Sequence, residues 1–231
     1  GGGRQSLAEA QFYPNDYDGI WASCPAINWT QFLASGLWAV TVMNEYDHIL
    51  GFHKINAFRD AVHNSVGGKE NYFQVEERID FDPYTILGQK TKGGKITEKD
   101  CLVMQEIWKG PHTTGNDFLW YSFLPGGTFW NKIIPIGSFY YPLIGKRPKC
   151  FSLVEQYVHL AFEDPKKGLL HLKIRDFEKV FDTCIRKLGW LSCDHADLRP
   201  FANAGGKLII DHGLDDPLIP VEGTIDYYHH M

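Results

Sequence analysis

The stretch that most constrains the fold lies near the end of the chain, where residues 204–220 read AGGKLIIDHGLDDPLIP. Leu208, Ile209 and Ile210 form a short unbroken apolar run bounded by Gly205-Gly206 and Gly213. A half-exposed antiparallel strand would alternate; an unbroken run predicts a strand buried in a parallel sheet. Parallel neighbours need a crossover, usually a helix. The start of the chain holds the pieces of one. Residues 4–13 (RQSLAEAQFY) are good helix formers, with Leu7 and Ala10 three apart and a stop at Pro14-Asn15. Asp18-Gly19 makes a turn, and Ile20–Ala22 leads into Pro25 as a short strand. Glycines, helix, turn and strand follow the order of half a β-α-β unit, so the expected class is an α/β sheet whose first strand is cut off.

The middle reads differently. Ile49, Phe52, Ile55, Phe58 and Val62 recur at helical spacing and predict a helix over 47–62. Thr97 and Asp100 form a capping pair that opens a helix ending at Lys109-Gly110-Pro111. Ser152 and Glu155 read as an S-x-x-E capping box, with the helix stopping before Asp164-Pro165. Phe177, Val180, Phe181, Cys184 and Leu188 predict another helix, closed by Gly189. Loops rich in glycine, proline and aromatics separate these elements, and no internal repeat is present. The expected layout is sheet elements at 1–30 and 196–231 around a helical and loop insertion at 31–195.

Composition removes several functions. With 231 residues, of which 44% are hydrophobic, the chain is long enough for a sizeable core. A net charge of −5 and no basic run longer than Lys166-Lys167 argue against a nucleic-acid partner. No apolar stretch approaches the roughly 20 residues that span a bilayer. The five cysteines (Cys24, Cys101, Cys150, Cys184, Cys193) contain no C-x-x-C pair, which removes zinc-finger and thioredoxin readings. Cys184 and Cys193 are near enough in sequence for a local disulfide, and buried free thiols fit equally well.

Functional groups of open α/β sheets gather at the carboxyl ends of strands, so the loop bearing His212, Asp215 and Asp216 is the best-placed polar cluster. On its own, Asp216 either serves chemistry or caps the following turn, and His212 before Gly213 either acts as a base or braces the loop. Gly1–Gly3 do not make a phosphate loop, because the G-x-G-x-x-G pattern fails at Ser6. Neither Ser6 nor Ser138 sits in G-x-S-x-G. Trp120, Phe129, Trp130, Phe139, Tyr140 and Tyr141 either pack in a core or stack on an aromatic ligand. His229 and His230 fall where a terminal helix should start.

Two long motifs now carry a resemblance. Residues 1–29 hold Gly2-Gly3-Arg4-Gln5, Glu9-Ala10-Gln11, Tyr13-Pro14, Asp18-Gly19 and Pro25-Ala26 in register. Residues 205–228 add Gly-Gly-Lys-Leu-Ile and a His-Gly-x-x-Asp-x-x-Ile-Pro loop. Together they resemble the tannase and feruloyl esterase family of α/β-hydrolases, and Phe81-Asp82-Pro83, Leu124–Gly127 and residues 152–165 resemble parts of its lid. The resemblance implies a partial α/β-hydrolase sheet with a large lid insertion. It implies a secreted serine esterase for small aromatic or polysaccharide-linked phenolic esters, with no cofactor and no membrane or nucleic-acid partner; oligomeric state stays open.

The same resemblance implies residue roles. A nucleophile elbow needs small residues after its serine, and the N–H of the next residue forms half of the oxyanion hole. That residue matches Gly1, so the serine would precede this chain. The triad acid matches Asp216, while Asp215 falls where the family has a small or polar residue. The family's histidine belongs to a Gly-x-x-His-Cys segment that does not occur before Met231, and its disulfide joins cysteines outside these residues. As given, the chain should be inactive alone. Family lids also carry an acidic calcium-binding stretch between two cysteines. Here Val62, His63, Val66, Gly67 and Glu70 fall in that stretch and Ile79 at the second cysteine, so no metal site is expected. That drift keeps open a second possibility: a non-catalytic protein of the same fold that binds phenolic or polysaccharide ligands.

Overall fold

The computed structural model describes residues 1–66, 79–127, 137–141, 145–164, 168–169, 171–216 and 218–231, with the backbone alone for 137–141 and 145–149. The opening helix is α1 (Gly2–Phe12), followed by strand β1 (Gly19–Ser23). Then come α2 (Trp29–Ser35), α3 (Trp38–Glu45) and α4 (Phe52–Ser65). A small antiparallel pair, β2 (Lys90–Thr91) and β3 (Gly94–Lys95), precedes α5 (Glu98–Lys109). A second antiparallel pair joins β4 (Gly137–Tyr141) to β5 (Gly145–Lys149). The chain continues with α6 (Ser152–Phe162), α7 (Ile174–Leu188) and α8 (Arg199–Asn203). It finishes with β6 (Lys207–Asp211) and α9 (Val221–His230).

β1 and β6 pair in parallel, from Gly19 opposite Lys207 to Ser23 opposite Asp211. Their covered face is packed by α1 and α9, through Leu7, Ala22, Ile27 and Tyr227, with Leu208 and Ile210 against them. The other face carries Trp21 and Ile209, 69% and 63% exposed. The parallel strand is therefore as expected, with one face covered by the described residues. Among the described residues helices cover one side only, so the apolar run alternates in burial although it does not alternate in sequence.

Gly3 explains how α1 lies so close to β1. A Cβ on it would sit 2.2 Å from the Ser23 carbonyl oxygen and 2.9 Å from Pro25 Cα, both backbone atoms that cannot swing away. Gly3→Ala is expected to force α1 off the strand and to cost about 1–3 kcal/mol, the usual range for overpacking. Chemical denaturation would show it as a lower midpoint at an unchanged slope.

The larger core is helical. α2 packs on α7, α6 on α7 and α3 on α5. Trp38 sits at its centre, edge-on to Phe177 (5.0 Å between ring centroids) and to His112 (4.8 Å), with its indole N–H donated to the Glu106 carbonyl at 3.0 Å. This body leaves and rejoins the strand module at one place. The Cys193 amide donates to the Ile27 carbonyl at 2.9 Å, and the Thr30 hydroxyl to the Leu188 carbonyl at 3.0 Å.

Local signals held unevenly. The α5 capping box forms: the Asp100 amide donates to Thr97 Oγ1 at 3.2 Å and the Thr97 amide to Asp100 Oδ2 at 2.7 Å. Asp100 does more than cap. It is fully buried and also meets His48 Nε2 at 2.8 Å and Lys54 Nζ at 2.5 Å. The Ser152 box does not form, because α6 begins at Ser152 itself with Phe151 at the cap position. α4 begins at Phe52 rather than 47, since Asp47 turns with φ 45° and Gly51 is extended at the cap. None of the five cysteines forms a disulfide, so the local Cys184–Cys193 bridge gives way to thiols. Burial pushes Cys184 up to about 12 and, aided by the Asp100 charge, Cys101 up to about 11.

Candidate active site

Three segments meet at the carboxyl ends of β1 and β6. α1 begins there, its first turn against Ser23–Pro25. Gly1, at its N-cap, is exposed and stands at this same end of the sheet. β1 ends in a turn at Cys24, whose φ of 41° is uncommon outside glycine. The Cys24 amide still reaches the Asp211 carbonyl at 2.8 Å, extending the ladder by one residue. After β6 the chain passes through His212 into a turn closed by the Asp216 amide on the Gly213 carbonyl at 3.2 Å.

Asp216 is held by one oxygen and offers the other. Its Oδ1 accepts the amides of Leu218 at 2.8 Å and Ile219 at 2.9 Å. Its Oδ2 faces His212 Nε2 at 3.3 Å, and the two side chains are 15% and 2% exposed. Burial pushes its carboxyl up, but the His212 ring and the amides of Ile219 and Leu218 more than offset this and hold it below the ordinary carboxylate range. The capping alternative is thus half realised: Oδ1 closes a local turn, yet α9 starts only at Val221 with Pro220 at its cap. An ionised carboxylate with one oxygen fixed by two amides, at a strand's carboxyl end, can orient an imidazole with the other and stabilise its protonated form.

The neighbours sort by environment. Asp215 is exposed, and a Cβ on Gly127 would come 3.2 Å from its Oδ1. His212 Nδ1 lies 2.7 Å from the Thr224 hydroxyl on α9, which braces the loop. Its Nε2 is buried and aligned with no hydrogen-bond partner, despite its closeness to Asp216. His229 and His230 lie in the last turn of α9, not at a helix start, because the helix begins eight residues before His229 at Val221. Ser6 only caps back to the Gly2 carbonyl at 3.1 Å. Trp120 is buried, edge-on to Tyr121, and packs against Gly223, as a core residue does. Ser138, Phe139, Tyr140 and Tyr141 fall in β4. Phe129, Trp130, Gly67 and Glu70 lie outside the described residues.

Sequence reasoning missed three contributors. Arg4 donates to the Leu191 carbonyl at 2.6 Å and stacks over Trp29 at 5.0 Å. Gln11 donates to the Cys193 carbonyl at 2.7 Å and to the Tyr227 hydroxyl at 3.0 Å. Both clamp the helix that carries the glycines. The third is Cys24: its sulfur, a His212 ring nitrogen and an Asp216 oxygen lie within 4.8 Å of one another. Nothing local in the sequence marks these contacts, which join opposite ends of the chain.

A parallel strand pair with a helix N-terminus and an acid loop together at its carboxyl end defines an α/β protein with its functional edge where such folds place it. The likeness to solved structures agrees with that class. Tannin acyl hydrolase from Aspergillus niger superposes with a TM-score of 0.80 at 24% identity, over 99% of this chain and 44% of that one. Feruloyl esterase B from Aspergillus oryzae gives 0.79 at 19%, over 99% and 45%. A family model described as tannase and feruloyl esterase matches residues 1–117, and the chain belongs to that family. A probable feruloyl esterase of Arthroderma benhamiae is 30% identical over 98% of this chain and 43% of its own length. Feruloyl esterase C of Talaromyces stipitatus is 24% identical over 100% and 43%. The chain therefore spans less than half the length of the curated relatives it matches.

Proposed function

We propose that the protein is a secreted serine ester hydrolase acting on esters of phenolic acids, with Asp216 as the acid of a Ser-His-Asp triad and the Gly1 N–H in the oxyanion hole. The serine and histidine come from parts of the protein beyond these residues, so residues 1–231 expressed alone hydrolyse nothing. Residues 31–195 form the lid that shapes the acyl pocket. The single observation that carries the reading is the Asp216 geometry: one oxygen pinned by two amides, the other facing the His212 ring at 3.3 Å, at the carboxyl edge of the β1–β6 pair.

The chemistry follows from those roles. The serine oxygen adds to the ester carbonyl while its proton passes to the histidine. Asp216 stabilises the resulting imidazolium, and the Gly1 N–H donates to the oxyanion. The histidine returns the proton to the departing alcohol, leaving an acyl-enzyme that water, deprotonated by the same histidine, hydrolyses. The test uses the protein in its full natural length, with methyl ferulate and methyl gallate as substrates and a fluorophosphonate probe for an activated serine. Turnover of at least one ester together with stoichiometric labelling is the expected result. Binding of either ester with neither turnover nor labelling would overturn it in favour of a binding protein.

A further inference from the structure

We infer that Cys24, His212 and Asp216 form a binding site for a divalent cation of the zinc class, at the same edge of the sheet as the proposed acid. Thiol, imidazole and carboxylate are the three side-chain types that bind zinc, and three protein ligands with one open position is its usual arrangement where water or substrate completes the shell. Their ligand atoms lie within 4.8 Å of one another. Tetrahedral zinc bond lengths put ligand atoms about 3.3–3.6 Å apart. The edge from His212 Nε2 to Asp216 Oδ2 is already 3.3 Å, and the Cys24 sulfur lies within 4.8 Å of both ligand groups.

The second observation is the state of His212. Its side chain is 2% exposed, and its Nε2 is buried without a hydrogen-bond partner although a carboxylate oxygen stands 3.3 Å away. A buried imidazole nitrogen that is not aimed at its neighbour is costly. A cation between the two satisfies both. Two of the three ligands are also held from behind, as metal ligands usually are. Thr224 Oγ1 lies 2.7 Å from His212 Nδ1, and with Nδ1 as donor the Nε2 lone pair is left for the metal. The amides of Leu218 and Ile219 fix Asp216 through Oδ1 and leave Oδ2 available. On binding, the Cys24 thiol releases its proton to solvent and the thiolate joins the metal. The cation takes up the Asp216 oxygen that a triad histidine would use. If the esterase reading holds, and this consequence alone rests on it, zinc inhibits the enzyme reversibly.

The experiment is a Co²⁺ titration of the chelator-treated protein, followed by its thiolate-to-metal charge-transfer absorption and reversed with Zn²⁺. One equivalent is expected to bind with that band, and Zn²⁺ is expected to erase it. Cys24→Ala and Cys24→Ser should remove the band while far-ultraviolet circular dichroism stays unchanged. Thr224→Val should weaken binding about 10–100-fold, as loss of an outer-shell partner does. Absence of the band in the wild-type protein, or its persistence in folded Cys24→Ala, would overturn the site. A protein without esterase activity that still shows the band refutes the proposed function and leaves the metal site standing; an active esterase without the band does the reverse.

Discussion

Asp216→Asn is expected to lower kcat for a phenolic ester by roughly 10⁴ in the full-length protein, the loss that a wrongly held histidine tautomer causes in a serine-protease triad. The substitution isolates the role. Asparagine keeps a carbonyl oxygen for the amides of Leu218 and Ile219, which now bond Oδ1, so the turn survives. What changes is the second position: an acceptor becomes an N–H₂ donor, and the imidazole can no longer present a basic nitrogen to the serine. Asp215→Asn next door should cost less than about threefold, because that side chain is exposed. Initial-rate kinetics on both variants, beside their thermal unfolding, decide the matter. Equal losses would remove Asp216 from the triad.

The second large effect is on stability. Asp100→Asn is expected to lower the unfolding free energy by about 3–5 kcal/mol, the cost of breaking a buried ion pair by removing one partner. Asp100 has no exposed surface, Lys54 is 15% exposed, and the same carboxylate accepts the Thr97 amide that starts α5. For a chain of this size the midpoint should fall by about 6–20 °C. The pH dependence has a defined sign. Burial pushes the Asp100 carboxyl up, but Lys54, His48 and Thr97 more than offset it and hold it low. A depressed carboxylate gives stability that is fully present above its unfolded value near about 3.9 and is lost as pH falls through the folded value. The wild type should therefore shed stability on acidification below about pH 4, and Asp100→Asn should shed less over the same window. Parallel acid-unfolding curves would show that Asp100 is not the source.

The parts legible in the sequence are those with punctuation. α1, β1, α5 and β6 each carry a stop, a cap or a glycine pair at their ends, and these set their positions to within a few residues. Asp216 was legible through its loop, but which oxygen is held and which is free depends on amides that only the folded turn aims at it. α2 and α3 were not legible. Nearly every residue from Phe32 to Met43 is buried, and a helix covered on all sides shows no amphipathic period. Ser152 had the right spacing for a cap, yet the chain entering α6 at Phe151 puts Ser152 inside the first turn.

The close approach of Ile27 to Cys193 bears on how such a chain folds. Taken along the backbone, β1 and β6 are separated by more than 180 residues, and pairing strands so distant is slow when the intervening chain is loose. The helical body has its own core and returns to within one backbone hydrogen bond of its point of departure. Once it has condensed, the segment to be closed behaves as a short connection, and closure entropy grows only with the logarithm of the loose length. The expected order of events is then helices first and pairing of β1 with β6 afterwards. The carboxyl edge that brings Cys24, His212 and Asp216 together therefore depends on the insertion having condensed first.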